Sequence, residues 1–290
     1  MTLWTDFFGA EIRYVSTPGF GRTRIAEAGR GNAEALFLMH GIGGHVEAYA
    51  RNVVALADQY HVIALDFVGH GLSEKKIDID YTPDTYAEQL RELMDALGID
   101  KAHVSGESLG GWVTGKFAVR HPNRVKRLIL NTSAGLPVVT DKGRQDLANL
   151  IELSKRSAGQ QPTYDAVLAR MKWLMHENNW GLLTEELVGT RLRIYSDPES
   201  QKTAPLIQRH ISRNNVDDFI AFEKLSAETL FLWTRDNPVH DVAAAEAACA
   251  RTPKGSLYVM NADSAHWPQY EAPDEFNAVV RSYLATGKAS

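Results

Sequence analysis

Short runs of successive apolar residues alternate along this chain with longer stretches in which apolar residues recur every three or four positions. The runs lie at 11–17, 23–29, 35–40, 61–67, 102–106, 127–133, 229–234 and 256–261. The middle and later runs are apolar on consecutive residues, as in strands covered on both faces. The stretch "YAEQLRELMDALG" places Leu90, Leu93, Met94 and Leu97 on one helical face and ends at Gly98, a glycine stop. Strand–helix alternation of this kind predicts a mostly parallel sheet with helices on both faces. The first two runs have no helix between them, so an antiparallel start is expected.

One interval breaks the alternation. From about Leu136 to Phe222 the pattern is helical throughout, in "DKGRQDLANLIELSKRSAG", "TYDAVLARMKWLMHE", "TEELVGTRLRIYS" and "ESQKTAPLIQRHISRN". The expected organisation is therefore a core of residues 1–135 and 223–290, with a helical block of residues 136–222 inserted after the sixth strand. Because ligands bind at the carboxyl ends of parallel strands, a block inserted there is placed to act as a lid.

Composition narrows the partners. With a net charge of −5 and no basic stripe, nucleic acid is not an expected partner. The one cysteine, Cys249, can form no internal disulfide and sits in a helical pattern, where a buried filler is expected. The first residues carry no basic-then-apolar run, and no apolar run reaches membrane-spanning length, so a cytoplasmic protein that avoids membranes is expected.

The candidate chemistry centres on "GESLGG" at 106–111, between the fifth strand and a helix. Gly106 and Gly110 make room for a sharp turn that exposes Ser108, the G-x-S-x-G elbow. A serine hydroxyl needs a base, a group to orient that base, and N–H donors for the developing oxyanion. His266 follows the last strand and is the candidate base. His40 and His70 precede glycines in turns and read as structural. Asp236 comes first after the seventh strand and is the candidate orienting acid. Asp241 is the fallback, although it also reads as a helix N-cap. The order Ser108, Asp236, His266 is that of elbow-type hydrolases. The oxyanion donors would be the backbone N–H groups of Leu109 and of Ile42, the latter in "HGIGG" at 40–44, whose glycines permit close backbone approach. Gly43 in that loop is a candidate substrate contact. The apolar residues Trp173, Leu174, Met175 and Trp180 would suit either a pocket or plain core. No metal-binding spacing and no dinucleotide fingerprint occurs, so no cofactor is expected.

The segments "HGIGG", "DFVGHGLSEK", "GESLGG", "TRDNPV" and "AHWPQYEAPDEF" occur in the order found in the α/β-hydrolase superfamily, which the chain resembles nearly end to end. More narrowly it resembles the meta-cleavage product hydrolases, which cleave a C–C bond in 2-hydroxy-6-oxo-hexa-2,4-dienoates made by ring-opening of catechols. Trp267 after the histidine and the segment "LLTEELVGTRLRIY" carry this likeness. It implies an α/β-hydrolase fold, a small and anionic substrate, substrate contacts from Trp267 and Arg191, and a homo-oligomer of two or more chains. Arg191 would hold the substrate carboxylate, a role that suits a planar guanidinium. The chain departs from that family at the elbow, where Glu107-Ser108-Leu109 replaces the usual Asn-Ser-Met, and at Ala48, where a small polar residue is common. A carboxylesterase using the same residues on small esters, and a non-catalytic small-molecule receptor, remain alternatives.

Overall fold

The computed structural model describes residues 2–157, 160–214 and 218–289. Eight strands form one sheet: β1 (Glu11–Thr17), β2 (Gly21–Ala28), β3 (Ala35–Met39), β4 (His61–Leu65), β5 (Ala102–Glu107), β6 (Val125–Asn131), β7 (Glu228–Trp233) and β8 (Gly255–Val259). The order across the sheet is β1-β2-β4-β3-β5-β6-β7-β8. β2 runs antiparallel to both β1 and β4, and every other pairing is parallel. The eight apolar runs thus correspond to eight strands, and the antiparallel start is present.

Alternation along the strands divides the core into two layers. Phe37 and Met39 of β3 pack on one face with Ile63, Leu65, Val104 and Leu128. Leu36 and Leu38 pack on the other with Val62, Ala64 and Ile129. Consecutive apolar residues are needed because both faces are dry. The first face is covered by the helices Pro83–Ala96, Leu109–Arg120 and Val242–Ala250, through residues such as Leu90, Trp112, Phe117 and Ala245. The second is covered by the helix Pro273–Thr286, through Phe276, Val280 and Tyr283, and by Tyr49 and Val53. Each fully buried Leu or Phe contributes about 2 kcal/mol.

The helix Pro83–Ala96 begins where Thr82 caps it and Pro83 presets its first turn. Cys249 lies in the helix Val242–Ala250, where burial raises its thiol pKa.

Strand order fixes where a ligand can enter. From β3 the chain steps to β4 on one side, then to β5 on the other. The loops leaving β3 and β5 diverge at this switch point and leave a crevice. Met39 pairs with Gly106, so both strands end level, and the "HGIGG" loop lies against the elbow. Between β6 and β7 the described residues form the helices Asp141–Ser157, Tyr164–Leu174, Glu185–Ser196 and Pro198–Asn214, and no strand. Val167, Met171, Leu174, Leu187 and Val188 of this segment join the second core layer.

Candidate active site

Ser108 stands at the end of β5 with φ 54° and ψ −118°, immediately before the helix Leu109–Arg120. A serine in this region is strained, and the turn holds it there by geometry. A Cβ on Gly106 would fall 2.1 Å from the Gly110 carbonyl, and one on Gly110 would fall 2.2 Å from the Met39 oxygen. Both positions therefore require glycine. The Ser108 N–H bonds to the Asn131 carbonyl, and the Ser108 carbonyl accepts from Ala134 and Trp112. The hydroxyl itself caps nothing. A Cβ added to Gly41 would lie 2.9 Å from the Ser108 Cβ, so the "HGIGG" backbone touches the elbow directly.

In that loop the Gly41 N–H donates to Glu107 Oε2 at 2.7 Å, and the Gly44 N–H donates to the Gly41 carbonyl at 2.9 Å. The N–H groups of Ile42 and Leu109 have no hydrogen-bond partner among the described residues. The loop is anchored from behind. Val46 N–H donates to Asp66, Arg24 bridges Asp66 and Glu47, and His45 contacts Glu47. His40 is buried, with Nδ1 against the Gly41 carbonyl and Nε2 accepting from Phe67 N–H. Burial lowers its pKa to about 4, so it is a neutral structural residue.

His266 arrives on the loop after β8. Its N–H donates to the Leu174 carbonyl, at the end of the helix Tyr164–Leu174, and its carbonyl accepts from the Thr132 hydroxyl. The side chain is 13% exposed, and burial, together with the neighbouring His240 ring and the Arg170 cation, lowers its pKa to about 3. Its orienting group is not an acid. Nδ1 lies 2.7 Å from Asn237 Oδ1, and the Asn237 amide N–H donates to the His240 carbonyl. That second bond fixes which end of the amide faces the ring, so the Nδ1 atom of His266 carries the proton and Nε2 is the free base. Asp236 is one residue too early. Its side chain is 58% exposed, with Oδ2 3.6 Å from His176 Nε2. Asp241 caps the helix Val242–Ala250 through a bond from Ala244 N–H and accepts from Thr140. The expectation of a carboxylate behind His266 is thus corrected: successive residues after β7 point in opposite directions, and Asn237 takes the inward place.

On the opposite side of the ring, His266 Nε2 lies 3.2 Å from Glu107 Oε1. Glu107 is 2% exposed, and burial raises its pKa to about 8, against the lowering effects of the Gly41 N–H and Arg191. At neutral pH this contact joins a neutral carboxylic acid to a neutral imidazole.

Arg191, on the helix Glu185–Ser196, is 3% exposed, and its Nε has no partner. Its guanidinium lies 4.5 Å from the centre of the Trp267 ring, and no carboxylate pairs with it among the described residues. Tyr195, on the same helix, donates its hydroxyl to the Gly43 carbonyl at 2.8 Å and so ties the helical segment to the "HGIGG" loop. Arg170, on the helix Tyr164–Leu174, is a second guanidinium, half-buried and 5.4 Å from the Trp173 ring. Burial and the neighbouring Arg191 lower its pKa. The sequence carried a signal for it. Arg170 is three residues after Val167 and four before Leu174, so it shares the buried face of its helix. Of the apolar candidates, Leu174 and Met175 are buried, whereas Trp180 is exposed.

Glu271 was also overlooked. Its Oε1 accepts from the N–H groups of Ala265 and Trp267, and its Oε2 accepts from His176 N–H and the Asn179 amide. It fastens the His266 loop to the helical segment. Its place four residues after Trp267 was visible in "HWPQYE", but its role depends on the folded loop. No cluster of metal-binding side chains occurs among the described residues, and no helix there is long and apolar enough to cross a membrane.

An eight-stranded sheet with a strained serine elbow and a histidine on the loop after its last strand defines an α/β hydrolase. The chain belongs to the alpha/beta hydrolase fold family, which matches residues 34–273. It is 28% identical over 99% of its length to the whole of a 2-hydroxy-6-oxo-6-phenylhexa-2,4-dienoate hydrolase from Burkholderia cepacia. It is 28% identical over 94% of its length to 95% of a 2-hydroxy-6-oxononadienedioate/2-hydroxy-6-oxononatrienedioate hydrolase from Comamonas testosteroni. Among solved structures, a serine hydrolase involved in carbazole degradation superposes with a TM-score of 0.80 at 26% identity, over 95% of this chain and 99% of that one.

Proposed function

We propose that the protein hydrolyses the C–C bond of a 2-hydroxy-6-oxo-hexa-2,4-dienoate, with Ser108 and His266 as its reacting side chains. The observation that carries this reading is Arg191, a buried cation on the face of Trp267 with no acidic partner. A substrate carboxylate would supply the missing charge in bidentate geometry. Arg170 adds a second unpaired cation to the same region. The names of the two relatives, both dienoate hydrolases, support the same class.

The chemistry follows from the placement of the groups. The dienol proton moves from oxygen to C5, giving a C2 ketone conjugated so that it can accept an electron pair. Ser108, or a water that it activates, then adds to the C6 carbonyl, and its proton passes to Nε2 of His266. The unpaired N–H groups of Ile42 and Leu109 face the developing oxyanion. The C5–C6 bond breaks, its electron pair passes into the conjugated system as a dienolate, and His266 gives its proton to the C2 oxygen, releasing a 2-hydroxypenta-2,4-dienoate. Water releases the acid product. Asn237, in place of Asp236, holds the reactive tautomer of His266. The helices of residues 136–222 serve as the lid, and Gly43 and Trp267 line the substrate side. A single unpaired cysteine suits a reducing compartment.

The test is steady-state turnover of 2-hydroxy-6-oxo-6-phenylhexa-2,4-dienoate beside 4-nitrophenyl acetate. A kcat/KM at least about tenfold higher for the dienoate is expected, since binding through Arg191 is available only to the anion. Cleavage of the ester alone would leave Ser108 and His266 as the reacting pair and reject the C–C substrate.

A further inference from the structure

A base that takes a proton from serine becomes an imidazolium, and something must balance that charge. In this site the group behind His266 is Asn237, which orients the ring at 2.7 Å but carries no charge. The nearby carboxylate of Asp236 points to solvent beside His176. The remaining carboxyl group is on the other side of the ring: Glu107 Oε1 lies 3.2 Å from Nε2, the atom that receives the proton. No arginine or lysine forms an ion pair with Glu107 among the described residues, and its only hydrogen bond there is from Gly41 N–H. A buried carboxyl that forms no ion pair and contacts the reacting nitrogen calls for a functional explanation.

We propose that Glu107 is the charge partner of His266, so that the acid of this catalytic relay has moved from the Nδ1 side of the ring to the Nε2 side. This rests on the Ser108–His266 reading above but not on the identity of the substrate. In the reactive form Glu107 is a carboxylate, His266 is neutral with its proton on Nδ1, and Ser108 carries its hydroxyl proton. As Ser108 Oγ bonds to the carbonyl carbon, its proton moves to Nε2. The imidazolium Nε2–H then lies between the leaving group and Glu107 Oε1. The carboxylate stabilises the cation until the proton passes to the leaving atom, so the proton count closes over the cycle. When Glu107 is protonated, its O–H instead occupies the Nε2 lone pair, and the base is blocked. Turnover is therefore gated by ionisation of Glu107.

The groups facing this pair are few. Arg191, from the helix Glu185–Ser196, favours the Glu107 anion. The buried Tyr49 hydroxyl, from the turn after the "HGIGG" loop, feels the Glu107 charge. Arg170 and His240 act on His266, and both oppose its protonation. With the Arg170 cation disfavouring the imidazolium and only an amide behind it, Glu107 is the one carboxyl among the described residues in contact with the ring that can offset it.

Glu107→Gln is nearly isosteric. Its carbonyl oxygen can keep the Gly41 bond, so a purely structural role would survive the change. The experiment follows 4-nitrophenyl acetate hydrolysis and fluorophosphonate labelling of Ser108 from pH 5.5 to 9.5. It compares the wild type with E107Q, N237D and the double variant. In the wild type both rates should rise with pH through about 8. E107Q should lose that rise and fall about 100-fold at pH 9, the scale of lost acid–base support. Asn237→Asp restores a carboxylate behind the ring, so the double variant should recover at least about tenfold over E107Q. N237D alone keeps Glu107 and should therefore stay slow below pH 8 and keep the rise with pH, so that a flat N237D profile would also overturn the proposal should E107Q fold poorly. An E107Q enzyme with wild-type rates and the same pH profile would overturn the proposal, as would a double variant no faster than E107Q. A wild type whose Ser108 does not label would instead reject the Ser108–His266 reading itself.

Discussion

The proposed carboxylate contact of Arg191 rests on the energetics of that one side chain. Removing a guanidinium from water costs several kcal/mol unless a carboxylate accompanies it. The Trp267 face returns about 2 kcal/mol of that at most. The balance is unfavourable in the free protein, and the proposed substrate carboxylate would restore it. Arg191→Gln should therefore raise KM for the phenyl dienoate about 10- to 100-fold, the value of a charge-assisted bond. It should leave KM for the neutral nitrophenyl ester within about twofold and should not lower the urea midpoint of the free protein. Equal damage to both substrates would make Arg191 a packing residue. Ser108 and His266 stand out in the sequence because each has a chemical type and a position that few roles satisfy, whereas Arg191 is marked only by the likeness of its segment to the meta-cleavage product hydrolases. The choice between Asp236 and Asn237 was not legible there. Both follow the same strand, and which one turns inward is decided by loop torsions, including Val239 held at φ 67°. Chemical type favoured the aspartate, and the backbone selects the asparagine.

The same limit holds at the scale of elements. Strands and the longer helices were readable because burial on one or two faces imposes a period, and a period survives in the sequence. Loops leave no such trace, and this site is built from loops. The non-glycine residues with positive φ among those described are Ser108, Thr132 and Val239. One is the elbow, one bonds the His266 carbonyl, and one lies in the loop that carries Asn237. Strain gathers where the chain must aim a side chain, and the surrounding bonds hold it. Glu271 is the clearest such bond, with four N–H donors from two elements on its two oxygens. Glu271→Ala leaves buried donors unpaired and should cost about 3 kcal/mol in urea unfolding. It also frees the loop that positions His266, so kcat should fall more than KM rises. An unchanged urea midpoint would show that the His266 loop is held by other contacts, such as the bond from its N–H to Leu174.

For the whole molecule, the site imposes a pH dependence on folding. His40, His103, His240 and His266 are held neutral by burial, with pKa values lowered to about 4, 4, 4 and 3. Each binds its proton more readily when unfolded, so stability is lost as pH falls below the ordinary histidine value of about 6.5. Glu107 acts with the opposite slope. Its pKa is raised to about 8 in the fold but returns to an ordinary carboxyl value in the unfolded chain. Between these values the unfolded state has released a proton that the folded state still holds. The contribution of Glu107 to stability therefore falls as pH rises from about 4.5 to 8, by roughly 1.4 kcal/mol per pH unit, and levels off above. The same burial that tunes Glu107 for catalysis makes it a liability for folding at the pH where it works. Glu107→Gln is neutral in both states and removes that slope. Urea unfolding at pH 5 and pH 8 should show the variant gaining on the wild type by a few kcal/mol across the interval. A constant difference between the two proteins would mean that Glu107 is already ionised in the folded state at pH 5, and the rise in activity near pH 8 would then need another group.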